Sequence, residues 1–433
     1  MSNKAVKSSS SPLKGEISVP GDKSISHRAI MLSSIADGRS SIKNFLRAED
    51  CMSTLNAMKS AGVSIEMDGD LIIVHGAGLR GLKEPEDLID AGNSGTTTRL
   101  LAGLFAGQDF FTVLTGDRYL RKRPMKRVVH PLRLMGADIS GREGGDKLPI
   151  ALNGKILSGI EYHSPIASAQ VKSSILLAGL YAEGRTEIIE PSLSRDHTER
   201  MLLSMGAKGA KRESSDRTAF SIEGGGALSA IDVEVPGDIS SAAFFIVAAL
   251  IVHGSEIKIN GMGINPTRTG ILDILINMGG DISLENKRDV EGEPVADILV
   301  RSSRLKGVEI KGELIPRAID EIPVIAVAAS VAEGKTVIRD ARELRVKESD
   351  RIESMVRGLT ELGVTVEELD DGMTIEGAEE FKGAVVESYG DHRIAMSMAV
   401  AGLAARGETL IKDYECVNIS FPGFFDLLKT LQD

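Results

Sequence analysis

The 433-residue sequence has no Trp, five Tyr and eleven Phe, so aromatics make up only 4% of it. Stacking platforms for nucleobases or sugar rings are therefore not expected. Cysteine is nearly as scarce. Cys51 and Cys416 lie too far apart to make a disulfide framework, and no Cys-x-x-Cys pair suggests zinc. Free thiols in a reducing cytoplasm are expected. No apolar run reaches the roughly 18–20 residues that a membrane helix needs. The stretch from Met1 to Ser11 is polar and Ser-rich, without an apolar h-region, and reads as a frayed tail. The nucleotide loop G-x-x-x-x-G-K-[ST] is missing as well. Positive charge is in the minority, with 51 Lys and Arg against 62 Asp and Glu and a net charge of −11. That balance argues against general binding to nucleic acid or an acidic membrane. Any anion site must be a local basic focus in an acidic chain. His27, His130, His197 and His392 share no ligand spacing, so no metal site is expected.

What is present is repetition. Ser18-Val19-Pro20-Gly21-Asp22-Lys23-Ser24 matches Glu234-Val235-Pro236-Gly237-Asp238-Ile239-Ser240. A phrase that closes a helix with Gly and opens a strand recurs at Gly62, Gly136, Gly206, Gly279 and Gly363; Gly accepts the left-handed conformation needed there. A third phrase opens a strand at Leu13, Leu79, Leu157, Leu228, Leu305 and Phe381. The period is roughly 65–80 residues, longer than solenoid repeats. Each unit reads strand, loop, helix, strand, helix, strand, which implies an α/β layer architecture. Six such units are expected, with the N-terminal strand at Gly15 completing the last. One domain would then be built from both chain ends, 1–20 plus 237–433. The second would be the central segment 21–236, with hinges near Pro20-Gly21 and Pro236-Gly237.

The six strand-to-helix loops hold most of the unusual polar residues. Gly21-Asp22-Lys23-Ser24-Ile25-Ser26-His27-Arg28 precedes an apolar helical pattern, so it sits at a helix N-terminus. Unpaired N–H groups and the positive end of the dipole favour an anion there. Lys23, Ser24 and Arg28 add a point charge, a hydroxyl and a planar fork suited to phosphate and carboxylate. The other loops are 91–99, 167–174, 236–241, 318–323 and 389–393. Taken singly, Asp238, Asp320 and Asp391 read as helix caps. Taken together, six polar loops at one end of each half would make a cleft for a ligand with several negative charges. The run 118–127 is densely basic. In Leu344-Arg345-Val346-Lys347-Glu348-Ser349-Asp350-Arg351, Lys347, Glu348 and Arg351 offer an acid/base pair and an anion clamp; ordinary helix pairing is the plain alternative.

With these stretches in hand, the chain resembles the 5-enolpyruvylshikimate-3-phosphate synthases, in their bacterial class II branch. The resemblance covers nearly the whole length. It is carried by Pro20 to Arg28, Gly92-Asn93-Ser94-Gly95-Thr96, Lys122-Arg123-Pro124, Ser168-Ala169-Gln170 and Arg195-Asp196-His197. Arg345 to Arg351, Asp391-His392-Arg393 and Ser420-Phe421-Pro422 complete it. It implies two globular domains, each of three βαβαββ units in the inverse α/β barrel arrangement, closing over the substrates. It implies transfer of the enolpyruvyl group of phosphoenolpyruvate to the 5-hydroxyl of shikimate 3-phosphate, releasing phosphate, with no metal or organic cofactor. By resemblance, Lys23, Asp320 and Glu348 are catalytic. Shikimate 3-phosphate would meet Lys23, Ser24, Arg28, Ser168, Ala169, Gln170, Ser194, Arg195, Asp320 and Lys347. Phosphoenolpyruvate would meet Lys23, Asn93, Gly95, Arg123, Gln170, Arg351 and Arg393. Ile419 stands where many relatives carry Lys, Ala169 where others carry Ser, and His197 where some carry Tyr. Insensitive relatives often have Ala where this chain has Gly95, so inhibition by glyphosate is expected. A cytoplasmic monomer without nucleic-acid or membrane partners is expected too. The rivals are the sister transferase acting on UDP-N-acetylglucosamine and a non-enzymatic anion-binding or nucleic-acid-binding module. The first typically needs a reactive Cys in a loop beside the cleft, and 118–127 has none. The second rests on 118–127 alone.

Overall fold

A computed structural model describes residues 2–213 and 217–432. Cα proximity divides the chain into two compact units, 21–235 and 1–20 with 236–433. Each has its own apolar core, one around Ile30, Phe105 and Leu176, the other around Phe245, Ile325 and Met398.

Among the described residues of 21–235 there are three four-stranded sheets. Ile89–Asp90, Phe111–Thr115, Lys147–Asn153 and Asp138–Arg142 lie side by side in that order. The first pair is parallel and the others antiparallel. Glu161–His163, Arg185–Glu190, Thr218–Glu223 and Gly209–Glu213 repeat the pattern. The other unit repeats it in Glu309–Ile310, Lys335–Ile338, Gly372–Glu376 and Thr365–Leu369. Among the described residues the strands form separate sheets of two to four strands, and none closes on itself.

Two sheets exchange their first strand. Lys14–Ile17 leads into the first helix of 21–235, yet it pairs in parallel with Glu256–Gly263. Val233–Glu234 leads into the helix Ile239–Ile251, yet it pairs in parallel with Asp37–Lys43. The strand at Gly15 therefore does not complete the last repeat. That place goes to Asn3–Lys7, antiparallel to Glu408–Lys412. The expected frayed tail is thus a sheet strand. Backbone pairing holds it even though only Val6 of the five residues is buried. One apolar residue in a polar run gives no alternating pattern to read.

In each repeat the helix after the polar loop is buried nearly all round. This holds for Lys23–Ser34, Gly95–Ala106, Ala169–Gly179, Ile239–Ile251, Ile322–Ser330 and His392–Ala404. Helices such as Arg351–Glu361 are amphipathic and show one face to solvent. Inside 21–235, Gly95–Ala106 and Ala169–Gly179 run the same way at close range. A Cβ on Gly103 would lie 2.0 Å from the Ser174 carbonyl oxygen, so only glycine permits that approach. Parallel packing of buried helices brings their N-terminal loops together.

Candidate active site

In 21–235, Asp22 caps the first helix by accepting from the Ile25 N–H at 2.9 Å. That cap starts the helix at Lys23, whose ammonium pairs with Asp50 at 3.1 Å. One turn later the buried Arg28 is gripped at each guanidinium nitrogen. Nε donates to Thr198 Oγ1 at 2.6 Å, Nη2 to Ser173 Oγ at 2.7 Å and Nη1 to the Ser24 carbonyl at 2.9 Å. His27, on the other side of the helix, meets Thr54 Oγ1 at 2.7 Å, and Thr54 meets Thr97 at 2.7 Å. Burial, then Lys23 and Arg28, hold the His27 imidazole well below its ordinary value of 6.5. It is therefore neutral beside two cations.

The second and third loops join through Arg99. Its Nη1 donates to Gln170 Oε1 at 2.5 Å and its Nη2 to the Pro124 carbonyl at 3.2 Å. Gln170 in turn donates to Thr96 Oγ1 at 3.0 Å. Arg123 lies over the first residue of Gly95–Ala106: a Cβ at Gly95 would sit 3.0 Å from Arg123 Nη1 and 3.2 Å from Arg99 Nη1. Asn93 donates to Asp117 Oδ2 at 2.8 Å. Ser168 occupies the N-cap of Ala169–Gly179, but its hydroxyl makes no capping bond. Ala169 is the first helical residue. Ser194 and the half-buried Arg195 lie on the connection between Arg185–Glu190 and His197–Ser204. The network thus gathers Lys23, Arg28, Gly95, Arg123 and Gln170 around helix N-termini, with Ser168 and Ser194 beside them. Arg99 was not singled out from the sequence, because an Arg inside an apolar helix pattern resembles an ordinary charged face.

In the other unit the centre is Arg351, the first residue of Arg351–Glu361 and almost wholly buried. Nε meets Asp391 Oδ2 at 2.8 Å, Nη1 meets Asp320 Oδ1 at 3.1 Å and Nη2 meets Glu348 Oε2 at 2.6 Å. Lys347 Nζ joins Asp320 Oδ1 at 3.3 Å. Burial draws the Lys347 ammonium below its ordinary range, with Asp320 pulling the other way. Burial alone would raise Asp391, but Arg351 outweighs it and holds the carboxyl below the usual carboxylate range. Arg393 donates to the Asp320 carbonyl at 3.0 Å. Asp238 and Asp391 are helix caps, accepting from Ser240 N–H and Arg393 N–H at 2.9 Å each. Asp320 is not a cap; it precedes the helix Ile322–Ser330 and points to Arg351 and Lys347. Behind it the buried Glu321 bonds Ser240, and Ser240 accepts from Arg268 Nη2 at 2.6 Å. Ile419 packs against the core of this unit, and Phe421 packs edge-on against Phe245 and Phe424. Part of the motif at 420–422 therefore builds core.

Three carboxylates on one guanidinium, with a low-lying ammonium alongside, can take up and return protons. Paired helix N-termini with arginines can hold phosphate and carboxylate. Among the described residues no group of three or more His, Cys, Asp and Glu is placed to hold a metal ion, and no helix is long and apolar enough to cross a membrane. Cys51 and Cys416 are buried thiols outside any disulfide; burial pushes the Cys416 thiol up to about 12.

Comparison with known proteins gives one consistent result. Residues 7–428 match the family model described as EPSP synthase (3-phosphoshikimate 1-carboxyvinyltransferase). A 3-phosphoshikimate 1-carboxyvinyltransferase from Geobacter metallireducens is 61% identical over 417 residues, covering 96% of this chain and 96% of the relative. One of the same name from Syntrophotalea carbinolica is 58% identical over 422 residues, covering 97% of each. Among solved structures, an EPSP synthase from Acinetobacter baumannii superposes with a TM-score of 0.87 at 46% identity, covering 99% of this chain and 98% of that one.

Proposed function

The chain belongs to the EPSP synthase family, and from that premise we propose that it moves the enolpyruvyl group of phosphoenolpyruvate onto the 5-hydroxyl of shikimate 3-phosphate. The observation that carries the reading is the grip of Arg351 on both Asp320 and Glu348, at 3.1 and 2.6 Å. The reaction needs a base for an alcohol and an acid for a vinyl carbon. Asp320 accepts the proton of the 5-hydroxyl as the new C–O bond forms at C2 of phosphoenolpyruvate. Glu348, assisted by Lys23, delivers a proton to C3. The tetrahedral intermediate then returns a C3 proton to Glu348, and phosphate leaves C2 taking the proton held by Asp320, so atoms and charge balance without a cofactor.

The binding roles proposed are those that membership of the family implies. Ser24, Arg28, Ser168, Ala169, Gln170, Ser194, Arg195 and Lys347, with Lys23 and Asp320, hold shikimate 3-phosphate. Lys23, Asn93, Gly95, Arg123, Gln170, Arg351 and Arg393 hold phosphoenolpyruvate. Hydroxyls and planar forks suit the first ligand, and a concentration of cations suits the second. The same donor groups admit glyphosate at the phosphoenolpyruvate positions, with inhibition competitive against that substrate; inhibition indifferent to phosphoenolpyruvate would overturn this. The protein acts as a cytoplasmic monomer, which sedimentation of the purified chain checks.

The deciding experiment is phosphate release from phosphoenolpyruvate with either shikimate 3-phosphate or UDP-N-acetylglucosamine as acceptor. Release with shikimate 3-phosphate alone is the expected outcome. Release with the nucleotide sugar would move the protein to the sister activity.

A further inference from the structure

The helix Ala169–Gly179 carries a lysine inside a run, Val171 to Gly179, that is otherwise apolar or small. Lys172 is almost entirely buried, as are Glu190 and Glu199 facing it. Lys172 Nζ lies 2.8 Å from Glu190 Oε2 and 2.7 Å from Glu199 Oε1, and it donates to the Ser194 carbonyl at 3.2 Å. Burial disfavours the lysine charge, but Glu199 and Glu190 outweigh it and hold the ammonium above its ordinary range. Burial pushes the Glu199 carboxyl up in spite of Lys172.

The two carboxylates do different things with their remaining oxygens. Glu190 Oε1 accepts the Ser168 backbone N–H at 3.1 Å and the Ser194 hydroxyl at 2.6 Å. Glu199 touches neither serine. Replacing a buried triad of this kind by apolar residues costs a fold little, so stability alone does not call for it. Its distinctive product is geometric: one carboxylate oxygen ties together two serines that are 26 positions apart in sequence. Lys172 stands behind Glu190, so the carboxylate does not face an incoming anion uncompensated.

We propose that Glu190 is a positioning residue for shikimate 3-phosphate, holding Ser168 and Ser194 at one fixed spacing, with Lys172 anchoring Glu190. This rests on the reading that those two serines bind that substrate. Glu190 takes only the backbone N–H of Ser168, whose hydroxyl proton stays available to the ligand, while the Ser194 hydroxyl spends its one proton on Glu190 and is fixed in place by it; losing that order weakens binding of one substrate only.

The test is steady-state kinetics of Glu190→Gln, with Glu199→Gln as its control and thermal midpoints for both. Glu190→Gln should raise KM for shikimate 3-phosphate about tenfold, the size expected for one charge-assisted hydrogen bond. KM for phosphoenolpyruvate and kcat should stay within about threefold. Glu199→Gln should lower the thermal midpoint without moving the ratio of the two KM values. If Glu190→Gln does not fold, Glu190→Asp keeps the charge while drawing it back from the serines, and reads the same ratio. Equal changes in both KM values, or the same ratio from the Glu199 variant, would reduce the triad to a structural role and overturn the proposal. Ser168→Ala and Ser194→Ala separate the underlying reading. If neither raises KM for shikimate 3-phosphate, it is the site assignment that fails. If they do and the Glu190 variants do not, it is this inference.

Discussion

Arg28 and Arg351 are both buried arginines near the start of a helix, yet their partners differ in kind. Arg28 is oriented by two hydroxyls and a backbone carbonyl. Arg351 is oriented by three carboxylates. Neutral oxygens fix the plane of a guanidinium without cancelling its charge. Carboxylates offset that charge, and the arginine then also holds the carboxylates in register. The unit 21–235 thus orients Arg28 through hydroxyls and a carbonyl, with Lys23 held by Asp50 at the start of the same helix. The other unit presents carboxylates held by a cation, suited to moving protons. Both start from loop-to-helix junctions of one repeat, so the division of labour lies in the partners and not in the backbone.

That contrast can be tested from its largest expected effect downward. Arg351→Met would leave Asp320, Glu348 and Asp391 without their shared cation. Breaking a buried ionic cluster from one side costs about 3–5 kcal/mol, so the urea midpoint should drop sharply and turnover with it. A variant of normal stability would show that the carboxylates do not depend on Arg351. Next come Asp320→Asn and Glu348→Gln, which remove a proton acceptor or donor while keeping shape. kcat should fall by on the order of 10²–10⁴, the range for general acid–base groups, with KM little changed in Glu348→Gln and KM for shikimate 3-phosphate raised as well in Asp320→Asn, since Asp320 also holds that substrate. A rise in KM at unchanged kcat would make these carboxylates binding groups and erase the contrast.

Arg28→Lys keeps the charge and loses the fork that meets Thr198, Ser173 and Ser24. KM for shikimate 3-phosphate should rise on the order of tenfold, with the thermal midpoint moving far less than in Arg351→Met. A comparable loss of stability would mean the two arginines are not different in kind. The smallest effect concerns His27. Its folded pKa is depressed, so the folded state binds fewer protons than the unfolded one below the ordinary value of 6.5. The stability from keeping it neutral is therefore present above that value and lost as pH falls toward its folded pKa. The loss sets in below the ordinary value and grows as pH falls, with a slope of at most one proton. His27→Gln should flatten that part of the urea midpoint against pH; an unchanged slope would assign the pH dependence elsewhere.

Several features were open to reading before any coordinates. The six strand-opening phrases, the glycines that end helices and the polar loops before apolar runs are local signals. They yield the repeats, the helix N-termini and the residues around them. The cap of Asp22 on Ile25 and the start of the helix at Lys23 belong here too. Other features carried weaker signals. Lys172 could have been suspected, since a lysine inside Val171-Lys172-Ser173-Ser174-Ile175-Leu176-Leu177 has no polar face to occupy and must find a carboxylate. Nothing local, however, pointed to Glu190 rather than to any other acid.

By itself the sequence determined the repeat, the α/β class, the loop chemistry and the family, because each depends on residues adjacent in the chain or on patterns of fixed period. Only the tertiary structure decided the pairings between distant segments. Lys14–Ile17 joins Glu256–Gly263 and leaves the last repeat to Asn3–Lys7. Arg28 reaches Thr198 across 170 positions, and Arg351 collects carboxylates from three loops. Strand partners compete on backbone bonds that every sequence offers. Buried charges take whichever partner the packed helices bring within about 3 Å.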